Sequence, residues 1–201
     1  MTTYIYTNGQ WTPKPVVTLP PMPEAVIAAK TAEFRRELAE FGYDGTEDSA
    51  RIAKLARVCA EYDGGGVYCN RKRGVRLVGQ TGRGKTFFFE FFRQRFGVPI
   101  VSLPLAVSDW ARCGFNGFDD CRWVPLVIDD LGREEAGCYM GNPFPLASVI
   151  CQREEAARRG ILTFFTTELS TQEIASRYGA HVASRISAMS DVIECKGGCR
   201  R

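Results

Sequence analysis

Eight residues near the middle of the chain, "GQTGRGKT", set three glycines, a lysine and a threonine at a spacing suited to phosphate chemistry. They are Gly79, Gln80, Thr81, Gly82, Arg83, Gly84, Lys85 and Thr86, and they follow the pattern G-x-x-x-x-G-K-[ST]. The glycines let successive backbone N–H groups curl around an anion where a Cβ would clash. A helix starting after them adds the positive end of its dipole. Lys85 then reaches the β- and γ-phosphates of a nucleotide such as ATP, and the Thr86 hydroxyl can ligate Mg²⁺. The motif carries this meaning only between a strand and a helix. That context is present: "GVRLVG" reads as a short strand and "TFFFEFFRQRFG" as a helix capped by Gly97.

A second group lies further along, with one strand between. "PLVIDDLG" is an apolar strand ending in Asp129 and Asp130. Carboxylates at the carboxyl end of a buried strand stand where open α/β sheets bind ligands. There Asp129 would hold the Mg²⁺ through water, and Asp130 would orient or deprotonate the water attacking a phosphate.

The elements that must position these groups are legible as a pattern. From about residue 70, "VPIVSLPL", "VPLVIDD", "ILTFFTT" and "DVIECKG" are short apolar runs rich in β-branched and aromatic residues. The helical segments "LASVICQREEAARRG" and "STQEIASRYGAHVASRIS" separate the last three. Strands alternating with helices predict an α/β fold with a parallel sheet covered on both faces. Phe87, Phe88, Phe91 and Phe92 are expected to pack the helix after the glycine loop against this sheet and against upstream helices.

Upstream, residues 1–21 read as an irregular, proline-rich tail. Residues 22–64 read as two helices. The first, "PEAVIAAKTAEFRRELAEFG", has Pro23 in its first turn and Gly42 as its stop, with Val26, Ile27, Phe34, Leu38 and Phe41 near one face. The second, "EDSARIAKLARVCAEYDGGG", repeats Ile52, Leu55, Ala56, Cys59 and Tyr62 at helical spacing and stops at Gly64 to Gly66. Such stripes are packing faces first, with docking of a partner protein as the alternative. Residues 65–201 form the nucleotide-binding core.

A chain of 201 residues suits one domain with a short extension. The net charge of +3 gives no global pull toward nucleic acid. Of 26 basic residues only six are lysines, however, and arginine is the residue that grips phosphates and carboxylates in a plane. "SDWARCGFNGFDDCRW" offers Trp110, Phe115, Phe118 and Trp123 for stacking on bases and Arg112 and Arg122 for phosphates. Packing on the sheet edge is the competing use, and Asp119 and Asp120 oppose a phosphate. The cluster "NRKRGVR", with Arg71, Lys72, Arg73 and Arg76, is a further candidate. Eight cysteines include no C-x-x-C pair; the nearest pair, Cys195 and Cys199, has only His181 to help it, so buried thiols are a better reading than zinc. The start carries no secretion signal and no apolar run nears the ~20 residues of a membrane span, so a cytoplasmic protein with reduced thiols is expected.

Taken together, "GQTGRGKT", "LVIDDLG", "TTELSTQEIASRYG", "ASRIS" and the closing "VIECKGGCRR" resemble the DnaC/IstB-like branch of AAA+ ATPases, over residues 65–201. That branch contains bacterial and phage helicase loaders and the ATP-dependent subunits of certain transposition systems. The resemblance implies a P-loop NTPase core of the AAA+ type with a five-stranded parallel sheet. N-terminal helices are expected to precede it, and the C-terminal lid domain of many AAA+ proteins is expected to be absent. It further implies Mg·ATP sandwiched between subunits of an oligomer. The implied function is ATP-dependent placement of a replicative helicase on single-stranded DNA. The alternatives are a partner of a transposase and a nucleotide-gated adaptor with little hydrolysis.

By the same resemblance Asp129 and Asp130 are the Walker B pair, and Arg185 in "ASRIS" is an arginine that reaches a neighbouring subunit's nucleotide. Arg185 is expected at an exposed position opposite the stripe Val182, Ile186 and Met189. Two positions depart from the pattern. Glu168 follows Thr166 and Thr167 where the branch commonly has asparagine, and an ionised glutamate only accepts hydrogen bonds. It is expected to repel a terminal phosphate and slow turnover. His181 stands four residues before Arg185, where another arginine is common.

Overall fold

The structure is a computed structural model describing residues 22–43, 49–63 and 71–196, and the backbone of 4–7 and 10–13. In chain order the elements are β1 (Tyr4–Thr7), β2 (Gln10–Pro13), α1 (Glu24–Phe41), α2 (Ser49–Tyr62), β3 (Gly74–Val78), α3 (Lys85–Phe96), β4 (Ile100–Ser102), α4 (Leu103–Cys113), β5 (Leu126–Leu131), β6 (Cys138–Tyr139), β7 (Asn142–Pro143), α5 (Leu146–Arg158), β8 (Thr163–Thr167), α6 (Thr171–Tyr178), α7 (Ala180–Met189) and β9 (Ser190–Glu194).

Five of the strands form one sheet in the order β4-β5-β8-β3-β9, all parallel, as the alternation of elements predicts. Its central strands are buried on both faces, so their sequences run continuously apolar instead of alternating. Neighbouring residues still serve opposite layers. Val127 and Phe164 join a cluster formed with α1, α2 and α3, whereas Ile128 and Phe165 join one formed with α4 to α7. The first layer is aromatic. Tyr62 lies 4.8 Å from Phe92 between ring centroids, and Phe92 lies 5.0 Å from Phe164.

The two N-terminal helices belong to that first layer. Ile27, Phe34, Leu38, Ile52, Leu55, Ala56, Cys59 and Tyr62 are buried in it, so these positions are packing faces, whereas Val26 of the same expected stripe is exposed. Gly42 ends α1 in the left-handed conformation, and the chain then turns Tyr43 inward. Phe88, Phe91 and Phe92 are buried; Phe87 is partly exposed but rests on Phe41 at 4.8 Å and on Tyr43 at 5.3 Å.

Several elements differ from their sequence patterns. The run "VPIVSLPL" supplies only three residues of strand; Leu103 to Leu105 open α4, with Pro104 in its first turn. The segment 170–189 is two helices, broken where Gly179 takes φ 90. Inside the tail expected to be irregular, β1 pairs antiparallel with β2. The Asn-Gly pair between them in the sequence is a hairpin signal. Cys59 and Cys195 are buried as expected of structural thiols, but Cys113, Cys138 and Cys151 are exposed. Gly64 to Gly66, Cys199 and the last residues of the closing segment lie outside the described residues. Among the described residues no helix is long and apolar enough to cross a membrane.

Candidate nucleotide-binding site

The glycine loop leaves β3 at Val78 and enters α3 at Lys85. Gly79 passes so close to the end of β9 that a Cβ would lie 2.4 Å from the Cys195 carbonyl oxygen. Its N–H donates to the Thr167 carbonyl at 3.1 Å, and the Cys195 N–H donates to the Val78 carbonyl at 2.7 Å. The loop is thereby fastened to strands on both sides. Gly84 takes φ 74 at the start of α3, a conformation open to glycine at little cost. Arg83 donates to the Gln80 side chain at 3.3 Å.

Lys85 is only 6% exposed, and its ammonium donates to the carbonyls of Gly79 at 2.5 Å and Gln80 at 2.9 Å. Burial lowers its pKa, with Glu168 the strongest opposing influence. The ammonium is held within the loop by neutral acceptors, which anionic phosphate oxygens outcompete.

Beside it, Thr86 Oγ1 donates to the Asp129 carboxylate, 3.1 Å from Oδ1 and 3.2 Å from Oδ2. Asp129 is 6% exposed, and burial raises its pKa against the Thr166 hydrogen bond. Thr166 donates to Asp129 Oδ1 at 2.5 Å and accepts from the Asp130 N–H at 2.8 Å. One hydroxyl therefore fixes both carboxylate residues. The pairing of β5 with β8 shifts register between Ile128 and Leu131, and Asp130 takes φ 58 there, turning its half-exposed side chain out of the strand. A buried carboxylate beside a threonine hydroxyl is a donor set of hard oxygens, which fits Mg²⁺.

Glu168 accepts a hydrogen bond from the Thr81 hydroxyl, so the residue expected to face a phosphate alone is tied to the loop. It also has a cation nearby: Arg133 Nε lies 3.7 Å from Glu168, and Arg133 donates to Thr81 Oγ1 at 3.1 Å. Sequence reasoning missed Arg133 and Tyr43, and it named Thr166 without its bonds to Asp129 and Asp130. Tyr43, buried at the end of α1, donates its phenol to the Gly84 carbonyl and so joins the N-terminal helices to the loop.

The structure corrects the placement of Arg185. Val182, Ile186 and Met189 are buried as expected, but Arg185 is half-buried and paired with Glu154 of α5. Its Nε also donates to His181 Nε2 at 3.0 Å, one helical turn away. Its contact with Glu154 thus joins α7 to α5.

The candidate DNA contacts divide. Phe118 is buried, and Trp110 packs on Tyr139 and Phe144 while its indole donates to the Asn142 carbonyl at 3.1 Å. Phe115 and Trp123 are exposed, the latter under the guanidinium of Arg159 at 4.2 Å. The cluster around residue 72 is mostly committed inside the molecule. Arg71 binds Glu61 and Asp191, Arg73 donates to the Ser190 carbonyl, and Arg76 is buried beneath α6, donating to Thr171 at 2.8 Å.

No protein-family model and no curated protein matches the sequence. Solved structures do match in fold. A putative primosome component from Streptococcus pyogenes superposes with a TM-score of 0.56 at 18% identity, over 77% of this chain and 84% of that one. The structure of the DnaC helicase loader gives 0.53 at 18% identity, over 74% and 89%. That of DnaI gives 0.51 at 21% identity, over 90% and 94%. The fold is therefore shared with these solved structures, and it is the parallel α/β fold that the motif resemblance implies.

Proposed function

We propose that this protein is an ATP-binding replication protein of the helicase-loader type, which couples Mg·ATP to placing a replicative helicase on single-stranded DNA. The contact of Thr86 with Asp129 beside the buried Lys85 carries the reading, because it joins the two motifs into one site. The structures similar in fold, including one described as a helicase loader, support the partner assignment.

In this reading Lys85 exchanges the Gly79 and Gln80 carbonyls for phosphate oxygens. Thr86 and Asp129 would hold Mg²⁺, whose charge would offset that of the phosphates. Asp130, turned out of β5, accepts the proton of the attacking water. Thr166 keeps both carboxylates in place. Arg185 exchanges Glu154 for the nucleotide of an adjacent subunit, so hydrolysis waits on assembly. Of the four aromatic candidates between Trp110 and Trp123, Phe115 and Trp123 are the exposed ones and would meet bases.

The test is capture of partners from the native host with and without ATP. Recovery of a hexameric helicase that depends on ATP and is lost in Lys85→Ala supports the proposal. Recovery of a transposase, or of neither, refutes the helicase assignment.

A further inference from the structure

The turn after the two carboxylates is built as a pedestal. The Asp130 carbonyl accepts from the Arg133 N–H at 3.1 Å. Glu134, 9% exposed, accepts from the Gly132 N–H at 2.9 Å with one carboxylate oxygen. Its other oxygen accepts from Arg177 Nε at 3.2 Å and from the Tyr178 hydroxyl. The Glu134 carbonyl accepts from Arg177 as well, at 2.5 Å. The backbone on both sides of Arg133 is thus anchored to α6. Between these anchors, the Arg133 side chain remains exposed.

That side chain extends to the glycine loop. Arg133 donates to Thr81 Oγ1 at 3.1 Å, and its ion contacts are loose, 3.7 Å to Asp130 and 3.7 Å to Glu168. A guanidinium has five N–H donors. Among the described residues, the Thr81 contact is the one hydrogen bond this guanidinium makes, and the side chain remains 46% exposed. Several surface arginines sit closer to a carboxylate, such as Arg159 at 2.5 Å from Glu155 and Arg112 at 2.7 Å from Asp109, while Arg122 is as loose, at 3.9 Å from Glu155. Arg133 has two carboxylates within reach and closes on neither.

We propose that Arg133 is a ligand of the terminal phosphate, acting within its own subunit, with Glu168 as the counter-charge that retains it while that phosphate is absent. The inference rests on reading the loop as a triphosphate site. Three carboxylates lie around the loop; Mg²⁺ would neutralise Asp129, which leaves Lys85 as the side-chain cation against Asp130 and Glu168 once a phosphate arrives. A second cation resolves this. The planar guanidinium matches phosphate oxygens in charge and shape, and release from contacts at 3.7 Å sacrifices no close ion pair. Glu168, repulsive by itself, becomes half of a pair that senses whether the nucleotide has its last phosphate.

The experiment compares binding of ADP and of a non-hydrolysable imido analogue of ATP to the full chain, by calorimetry with Mg²⁺. Arg133→Ala is expected to weaken the analogue about tenfold or more, the effect of a lost charged hydrogen bond, and to leave ADP nearly unchanged. Arg133→Lys is expected to recover part of the loss. Glu168→Gln, by freeing the arginine and removing a repulsive charge, is expected to tighten the analogue and not ADP. Equal effects of Arg133→Ala on the two nucleotides, or no effect on either, overturn the proposal and leave the triphosphate site standing. Wild-type protein that binds neither nucleotide overturns that site and this proposal with it.

Discussion

The two ends of the central sheet hold their arginines in opposite ways. At the amino end Arg153, 2% exposed, donates to the carbonyls of Cys121, Arg122, Val124 and Leu162 and to the Thr163 hydroxyl, all at 2.8–3.2 Å. Burial pulls its pKa down to about 10, and neutral acceptors surround it. At the carboxyl end Arg133 makes one hydrogen bond and two loose ion contacts. The first arginine is saturated and ties the approach to β5 to the start of β8. The second has donors to give. Backbone conformation divides the same way, since Asp130, a non-glycine residue at positive φ, lies at the carboxyl end. The contacts of Arg153 are complete where the sheet is only held together, and those of Arg133 are incomplete at the edge where the proposed nucleotide would enter.

The strongest way to break this comparison is at the saturated end. Arg153→Ala takes a donor from four carbonyls, of which those of Cys121 and Leu162 keep a backbone N–H, and should lower the unfolding free energy by about 3 kcal/mol. Urea unfolding measures this, and the folded fraction should bind ATP as wild type does. A variant as stable as the parent would show that the contacts of Arg153 do not hold the fold.

A smaller effect, on turnover instead of folding, is expected at the open end. Asp130→Asn retains a residue that tolerates positive φ and removes the proton acceptor. Stability should shift by less than about 0.5 kcal/mol, as for exposed positions. ATP turnover should fall by roughly a hundredfold, the lower range for loss of a general base. Unchanged turnover would move the proton to another group.

Arg185 sharpens the comparison because it lies between the two cases, half-buried and paired with Glu154. Arg185→Ala should cost at most about 1 kcal/mol in stability, the scale of a partly exposed ion pair. Turnover in the assembled oligomer should be lost, with nucleotide binding intact. Mixed with Lys85→Ala in one oligomer, it should recover part of the activity. No recovery despite proven co-assembly would confine Arg185 to its contact with Glu154.

What the sequence made legible follows from range. The glycine loop, the apolar strand ending in Asp129 and Asp130, and the five strands are local patterns of spacing, and they appear where they were expected. The boundary of β4 was misread because an apolar run looks alike in a short strand and a helix, and Pro104 suits the first turn of a helix. Arg76 reads as one more member of a basic cluster, yet its place in the middle of β3 buries it. Nothing in the sequence near Tyr43 announces its bond to Gly84, 41 residues on. The contacts of Thr81 with Arg133 and Glu168 span 52 and 87 residues. Only the folded sheet brings those side chains to one edge, so they escape any reading by motif.

The most direct test of the nucleotide site is a titration of the full chain with ATP, in Mg²⁺ and again with the metal chelated, for wild type and Lys85→Ala. The expected result is saturable binding by wild type that weakens on chelation and falls by about tenfold or more in the variant, as for a lost charge-assisted bond to phosphate. Equal ATP affinity in wild type and Lys85→Ala would contradict the assignment of this loop as the phosphate site.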